Sequence, residues 1–412
     1  MEYSEAKKII KDCEKSAQNL FAELQDIALY NQEKVLNAFR ENNVTYAHFN
    51  GSTGYGYDDI GREKLNKVYA KVFGCEDALV SPLITNGTHA LTLALFGLLR
   101  PNDVMLSVVG KPYDTLDDVI NGDNNGSLKE YGIIYKQTDL DENAMPDLAA
   151  IAKMTAVIKP KLAFIQRSKG YLWRNALSIE EIAEIIDVIK ANSPSTIVVV
   201  DNCYGEFVDK KEPTEVGADV IVGSLIKNPG GGIAPTGGYV AGKCEYIEQI
   251  SYRVTAPSLG NEVGSYTPGY RLYFQGLFLA PSVVKNALMG NALAGYVFDR
   301  YNFETMPEVG QRPYDIITSI KFRTGDELVN FCRQVQKVSP VDSFVVPEAW
   351  DMPGYNHPVV MAAGTFIQGA SLELTADGTV REPFVAYMQG GLTYEHCVIA
   401  LKIGRASCRE RV

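Results

Sequence analysis

The sequence predicts an α/β fold of the doubly layered kind, a mainly parallel sheet between helices, followed by a smaller α+β unit. Two observations carry that prediction. Short, wholly apolar runs recur between Ala78 and Ala241, and helical patterns lie between several of them. Runs apolar on both faces read as strands covered on both sides, and strands alternating with helices build parallel sheets. The chain has 412 residues, 46% of them hydrophobic, which is ample for a sizeable core.

In chain order, residues 1–50 read as a polar-rich helical segment. A large domain follows over 51–290. Its strands are expected at Ala78–Val80, Val104–Val108, Ile133–Lys136, Leu162–Gln166, Thr196–Val200, Val220–Val222 and Tyr239–Ala241. Ser178–Lys190 is the clearest helix: Ser178 and Glu181 have capping-box spacing, and Ile182, Ile185, Ile186 and Ile189 form one stripe. A helix is also expected over Ala90–Leu99. Residues 276–300 read as a long helix, and 291–402 as a small C-terminal domain. At the end, Ile403–Val412 abruptly turns a helical apolar pattern basic. It has the look of a translated sequencing adaptor and is set apart from the fold; a genuine basic tail is the alternative.

Composition narrows the function. Fifty acidic against 39 basic side chains give a net charge of −11, which argues against general nucleic-acid binding. The seven cysteines, at 13, 75, 203, 244, 332, 397 and 408, contain no C-x-x-C pair, so neither a zinc site nor a disulfide framework is expected. Met1–Glu5 lacks a secretory pattern, and the apolar run near Leu91–Leu99 is too short to cross a bilayer. A soluble, cytoplasmic protein without a membrane partner is the expectation.

Three features fall beyond the C-terminal ends of strands, where open α/β sheets hold ligands. Asp201 closes the run Thr196–Val200; alone it would pass for a turn residue. Lys227 follows Val220–Val222 in Ser224-Leu225-Ile226-Lys227-Asn228-Pro229 and precedes Gly230-Gly231-Gly232; alone it would pass for a surface lysine. Asn86-Gly87-Thr88-His89-Ala90 opens a helix whose free N–H groups suit an anion; alone it would pass for a cap. Together, a phosphate seat, an aspartate and a lysine meet the needs of pyridoxal 5'-phosphate: the aspartate keeps the pyridine nitrogen protonated and the lysine holds the aldehyde.

Asp201-Asn202 and Ser224-x-x-Lys227 resemble the cysteine/methionine-metabolism branch of fold-type-I pyridoxal-phosphate enzymes. Closer still, several segments resemble the methionine γ-lyase-like family also called aluminium resistance proteins. They are Gly54–Arg62, Asn86–Ala90, Pro112–Leu116, Asp201–Phe207 and Gln389–His396, and the resemblance spans about residues 40–402. It implies that Lys227 binds the cofactor and removes the substrate α-proton, and that Asp201 pairs with the pyridine nitrogen. It implies further that Gly87, Thr88 and Ser224 hold the phosphate. Tyr113 would stack on the ring and protonate a departing sulfur. Tyr55, Tyr57 and Arg62 would reach a neighbouring subunit's cofactor in a homodimer or homotetramer. Arg381 is the choice for the substrate carboxylate, with Arg174 and Arg271 as rivals.

Two departures stand out. Ile226 occupies a position where the branch usually has a hydroxyl. Gln166–Arg174 replaces a proline-rich stretch, so its lysine and arginines are either pocket groups or a solvated loop. The implied activity is carbon–sulfur bond cleavage in methionine, cystathionine or a cysteine derivative. An aminotransferase, another amino-acid lyase or a non-catalytic cofactor-binding stress protein are the alternatives.

Overall fold

A computed structural model of the chain describes residues 3–352 and 357–408. Helices α1 (Tyr3–Ser16) and α2 (Gln18–Glu41) lead in, and α2 buries Leu20, Leu24, Ile27, Asn31, Val35 and Ala38 at three- and four-residue spacing. Then come α3 (Ile60–Val72), β1 (Asp77–Ser81), α4 (Gly87–Leu98), β2 (Val104–Ser107), α5 (Asp114–Asn121) and β3 (Ile134–Gln137). They are followed by α6 (Leu148–Ile158), β4 (Leu162–Gln166), α7 (Ile179–Asn192), β5 (Ile197–Asp201), β6 (Val220–Ser224), β7 (Gly238–Gly242) and α8 (Cys244–Val254).

Strands β1–β7 form one sheet in the order β1-β7-β6-β5-β4-β2-β3, in which β7 runs opposite to the other six. Each expected strand is present to within a residue or two at most of its ends. Two buried clusters cover the sheet's two faces: Val198, Val200 and Ile221 point to one, Val199, Val220 and Val222 to the other. This two-sided burial is why the strands read as unbroken apolar runs. Helix α7 is capped as its sequence implies, Ser178 and Glu181 closing a reciprocal box, and its four isoleucines are buried.

Helix α9 (Arg271–Asp299) begins five residues earlier than the pattern implied. By length and composition it could cross a membrane, which the reading of Leu91–Leu99 as the longest apolar run did not foresee. Its apolar residues instead enter the core, and it packs against α1, α2 and α11. The remaining elements are β8 (Thr305–Met306), β9 (Ile317–Lys321), α10 (Gly325–Lys337), β10 (Val359–Ala362), β11 (Thr375–Thr379), β12 (Val385–Gln389) and α11 (Tyr394–Cys408). Strands β8–β12 make a second, antiparallel sheet in the order β10-β11-β12-β9-β8. Of the terminal run 403–412, the backbone to Cys408 continues α11, and 409–412 lie outside the described residues.

Candidate active site

Strands β4, β5 and β6 are adjacent and parallel, so their C-terminal ends share one rim of the sheet. Gln166 pairs with Asp201 across β4 and β5, and Ser224 ends β6. The buried run Ile197–Val200 fixes the strand and delivers Asp201 to the rim, 5% exposed. Burial raises the Asp201 carboxyl above its ordinary range, opposed by the charge of Lys227 and by the Cys203 N–H, which donates to Oδ1 at 3.1 Å.

Lys227 is half-buried, its Nζ 3.8 Å from the centre of the Tyr204 ring. Burial alone would lower its pKa, but the acidic groups of Tyr204, Cys203 and Asp201 around it outweigh burial and raise it. Of these, Cys203 is a neutral thiol at ordinary pH, because burial pushes it well above its usual range. The Tyr204 phenol and the Asp201 carboxyl are the remaining groups that favour the charged lysine.

The residues expected to hold a phosphate lie close together. Gly87 opens α4, and Asn86 caps the helix by accepting from the His89 N–H at 2.8 Å. A Cβ at Gly87 would lie 3.4 Å from both Cys203 Sγ and Ser224 Cβ, so the α4 N-terminus abuts the ends of β5 and β6. Ser224 Oγ is buried with no hydrogen-bond partner among the described residues. An orphaned hydroxyl beside free helix N–H groups is what a bound phosphate would satisfy. Thr88 Oγ1 lies 3.2 Å from the Tyr113 hydroxyl, while the Tyr113 N–H donates to Gln166 Oε1 at 3.0 Å. Burial, reinforced by Asp201, raises the Tyr113 phenol, so it stays protonated.

Other expected residues lie elsewhere. Tyr55 and Tyr57 are 74% and 57% exposed, with ring centres 5.7 Å apart. Arg62 is buried, and its guanidinium donates to the carbonyls of Gly264 at 2.8 Å and Glu262 at 3.3 Å. Arg381 stands exposed on the turn between β11 and β12, and its charge opposes the burial that raises the Tyr387 phenol above its usual range. Arg271 is exposed at the start of α9.

The segment Gln166–Arg174 is no solvated loop. Arg167 is fully buried and donates to Asn202 Oδ1 and the Gly205 carbonyl, both at 2.8 Å, while Asn202 donates to Glu212 at 2.9 Å. This network holds the turn after Asp201. Lys169, also fully buried, donates to the carbonyls of Met306 and Ile317 and lies 3.7 Å from Asp315. Arg174, 2% exposed, is engaged with the carbonyls of Asn175 and Ser168. These cations brace backbone.

Several site residues carry no sequence signal. Tyr204 adopts a left-handed φ of 71° that puts its ring beneath Lys227. Glu206 is buried against the Tyr239 hydroxyl at 2.8 Å, and burial pushes its carboxyl up to about 8. Its carbonyl accepts from Asn228 at 2.9 Å, tying the Lys227 turn to the Asp201 turn. Among the described residues no cluster of three or more metal-ligating side chains occurs.

The chain matches known proteins along nearly its whole length. The solved carbon-sulfur lyase involved in aluminum resistance from Clostridium novyi NT is 51% identical, with a TM-score of 0.94, covering 98% of this chain and 96% of that one. The Bacillus subtilis (strain 168) "Uncharacterized protein YnbB" is 47% identical over 395 residues, 95% of this chain and 93% of its own. At 17% identity and a TM-score of 0.61, the pyridoxal-5'-phosphate dependent protein YhfS from Escherichia coli shares the fold. The architecture is that of fold-type-I pyridoxal-phosphate enzymes. The family profile described as Methionine gamma-lyase matches residues 6–407, and the chain belongs to that family.

Proposed function

We propose that this protein is a pyridoxal-phosphate-dependent lyase that cleaves a carbon–sulfur bond of a sulfur amino acid. One observation carries the reading: Lys227, Asp201 and the orphaned Ser224 hydroxyl converge beside the α4 N-terminus. The cofactor fits these residues. Gly87, Thr88 and Ser224 would hold its phosphate, Asp201 its ring nitrogen and Lys227 its aldehyde, and Tyr113 would stack on its ring. Once bound, it supplies an electron sink conjugated to the substrate Cα.

The chain's own groups do the rest. Lys227 Nζ would accept the substrate α-proton. The buried Asp201 carboxylate, held by the Cys203 N–H, would favour a protonated ring nitrogen and so a stronger electron sink. Tyr113, protonated and oriented by Thr88, gives its proton to the departing sulfur. Arg381, exposed on the turn between β11 and β12, would bind the substrate carboxylate. The exposed Tyr55 and Tyr57 suit a homodimeric or homotetrameric assembly in which a second copy covers them. That the solved relative from Clostridium novyi is a carbon-sulfur lyase supports the same chemistry.

The test is direct. Purified protein should be yellow, borohydride should fix the cofactor on the peptide containing Lys227, and a panel of sulfur amino acids should yield a 2-oxo acid. Lys227→Ala should lose about a thousandfold or more in rate. A colourless protein that takes up no pyridoxal phosphate overturns the reading; conversion of the cofactor to its amine form with a 2-oxo acid acceptor replaces it with transamination.

A further inference from the structure

Glu206 lies in the turn that follows Asp201, flanked by two residues of left-handed backbone, Tyr204 at φ 71° and Phe207 at φ 62°. Such a turn keeps its shape only where contacts hold it. Glu206 is fully buried and pinned at both ends. Its Oε1 accepts from the Tyr239 hydroxyl of β7 at 2.8 Å, and its carbonyl accepts from Asn228 Nδ2 at 2.9 Å. Asn228 directly follows Lys227 and is itself fully buried. The carboxyl lies against β6 at Gly223, where a Cβ would stand 2.6 Å from Oε1. A glycine next to Ser224 is what leaves room for it.

The surroundings favour an acid over an anion. Oε2 has no hydrogen-bond partner among the described residues. The titratable groups that act on this carboxyl are Tyr69 of α3, Tyr239 of β7, Cys203 and Glu212 of its own loop, and Lys227. Glu212 in turn faces Arg167 at 3.9 Å. Burial raises the Glu206 carboxyl and Glu212 adds to the rise, while the Tyr239 hydrogen bond and the Lys227 charge oppose it. Glu206 and Lys227 feel each other's charge, so an anion at 206 would favour the charged amine. A lysine that captures an aldehyde, or takes up a proton, does so as the free amine. Tyr204 and Asp201 already favour its charged form. A neutral acid at 206 keeps both anchors without adding another such group.

Resting on the reading of Lys227 as the cofactor-holding base, we propose that Glu206, in its uncharged form, is a positioning residue for Lys227. Bonded to Tyr239 and Asn228, it fixes the turn that carries the lysine. Its lack of charge leaves the amine easier to deprotonate.

The test follows capture of pyridoxal phosphate by cofactor-free protein, read by stopped-flow absorbance as a function of pH. Capture needs the free amine, so its rate climbs with pH. In the native protein the climb should flatten above about pH 8, as Glu206 ionises and holds the lysine charged. Glu206→Gln keeps an acceptor for Tyr239 and cannot ionise. Its rate should match the native one within about twofold below pH 7 and exceed it about threefold or more above pH 9. Glu206→Met, which removes the anchor, should capture about tenfold more slowly at every pH. Should that variant fold poorly, Tyr239→Phe removes only the bond to Oε1. That bond lowers the Glu206 pKa, so its loss should move the flattening to higher pH. Melting temperatures of the cofactor-free variants report folding; a merely structural role would move them without bending the pH profile. Superimposable native and Glu206→Gln profiles, native-like capture by Glu206→Met, or an unmoved bend in Tyr239→Phe overturns the inference. Borohydride fixation at a lysine other than Lys227 would sink the cofactor reading instead, whereas fixation at Lys227 with unchanged profiles would sink this inference alone.

Discussion

Lys227 Nζ stands 3.8 Å above the centre of the Tyr204 ring, an arrangement made possible by the left-handed backbone at Tyr204, φ 71°. A tyrosine in that region carries backbone strain of about 1–3 kcal/mol, which the surrounding packing must over-determine. Here the turn is held by Arg167, Asn202 and Glu212 on one side and by Glu206 with Asn228 on the other. A cation–π contact steadies the lysine while its amine is free. Tyr204→Phe should leave the bound-cofactor spectrum unchanged, and Tyr204→Leu should shift its absorbance and lower cofactor occupancy. Identical spectra in both would remove the ring from the account.

Ser224 predicts a cofactor effect without a stability effect. Its hydroxyl has no hydrogen-bond partner among the described residues, so Ser224→Ala should leave the melting temperature of the cofactor-free protein unchanged or slightly raised. Cofactor affinity should fall about five- to thirtyfold, the loss of one charge-assisted hydrogen bond of about 1–2 kcal/mol. Fluorescence titration with pyridoxal phosphate measures it.

Tyr113 should separate binding from chemistry. Tyr113→Phe keeps the ring that stacks but removes the proton donor that Thr88 orients. The expectation is a fall in kcat of about 10²-fold or more for poor thiolate leaving groups, with a smaller fall for activated ones. A uniform loss across leaving groups would assign Tyr113 to positioning alone.

Glu206 makes stability fall with rising pH. Its carboxyl sits near 8 in the folded chain against an ordinary 4.5, so between those values the folded state holds a proton that the unfolded state has lost. Its contribution is fully present below about pH 4.5 and is lost as pH rises through 8. Glu206→Gln keeps an acceptor for Tyr239 and removes the titration. The melting temperature of the variant should therefore decline less between pH 5 and 8 than that of the native protein; parallel curves would contradict this.

Gly205 should tolerate no side chain. A Cβ there would lie 2.5 Å from Arg167 Cδ and 2.6 Å from its Nη1, and Arg167 is held by hydrogen bonds that prevent retreat. Gly205→Ala should destabilise by about 1–3 kcal/mol, read by denaturant unfolding.

The seven strands of the large sheet, the α7 cap and the chain positions of Gly87, Asp201 and Lys227 were legible because each depends on local pattern. An unbroken apolar run means a strand buried on both faces, Ser178 with Glu181 means a helix start, and a polar residue directly after a strand stands at the rim. What the sequence could not decide was where long cations spend their charge. Arg167 and Lys169, equally open to a pocket or a solvated loop by pattern, are buried braces because distant carbonyls, from Gly205 to Ile317, supply their acceptors. Nor could it join Asp377 and Gln389, twelve residues apart in the chain, into one buried hydrogen-bonded pair. That pairing arises from strand register and from the packing of the second sheet against the first, which are non-local. By itself the sequence determined the fold and the lysine–aspartate–glycine frame of the site. Only the tertiary structure decided which polar groups are satisfied and which are left waiting for a ligand, since hydrogen-bond satisfaction depends on partners that local pattern does not encode.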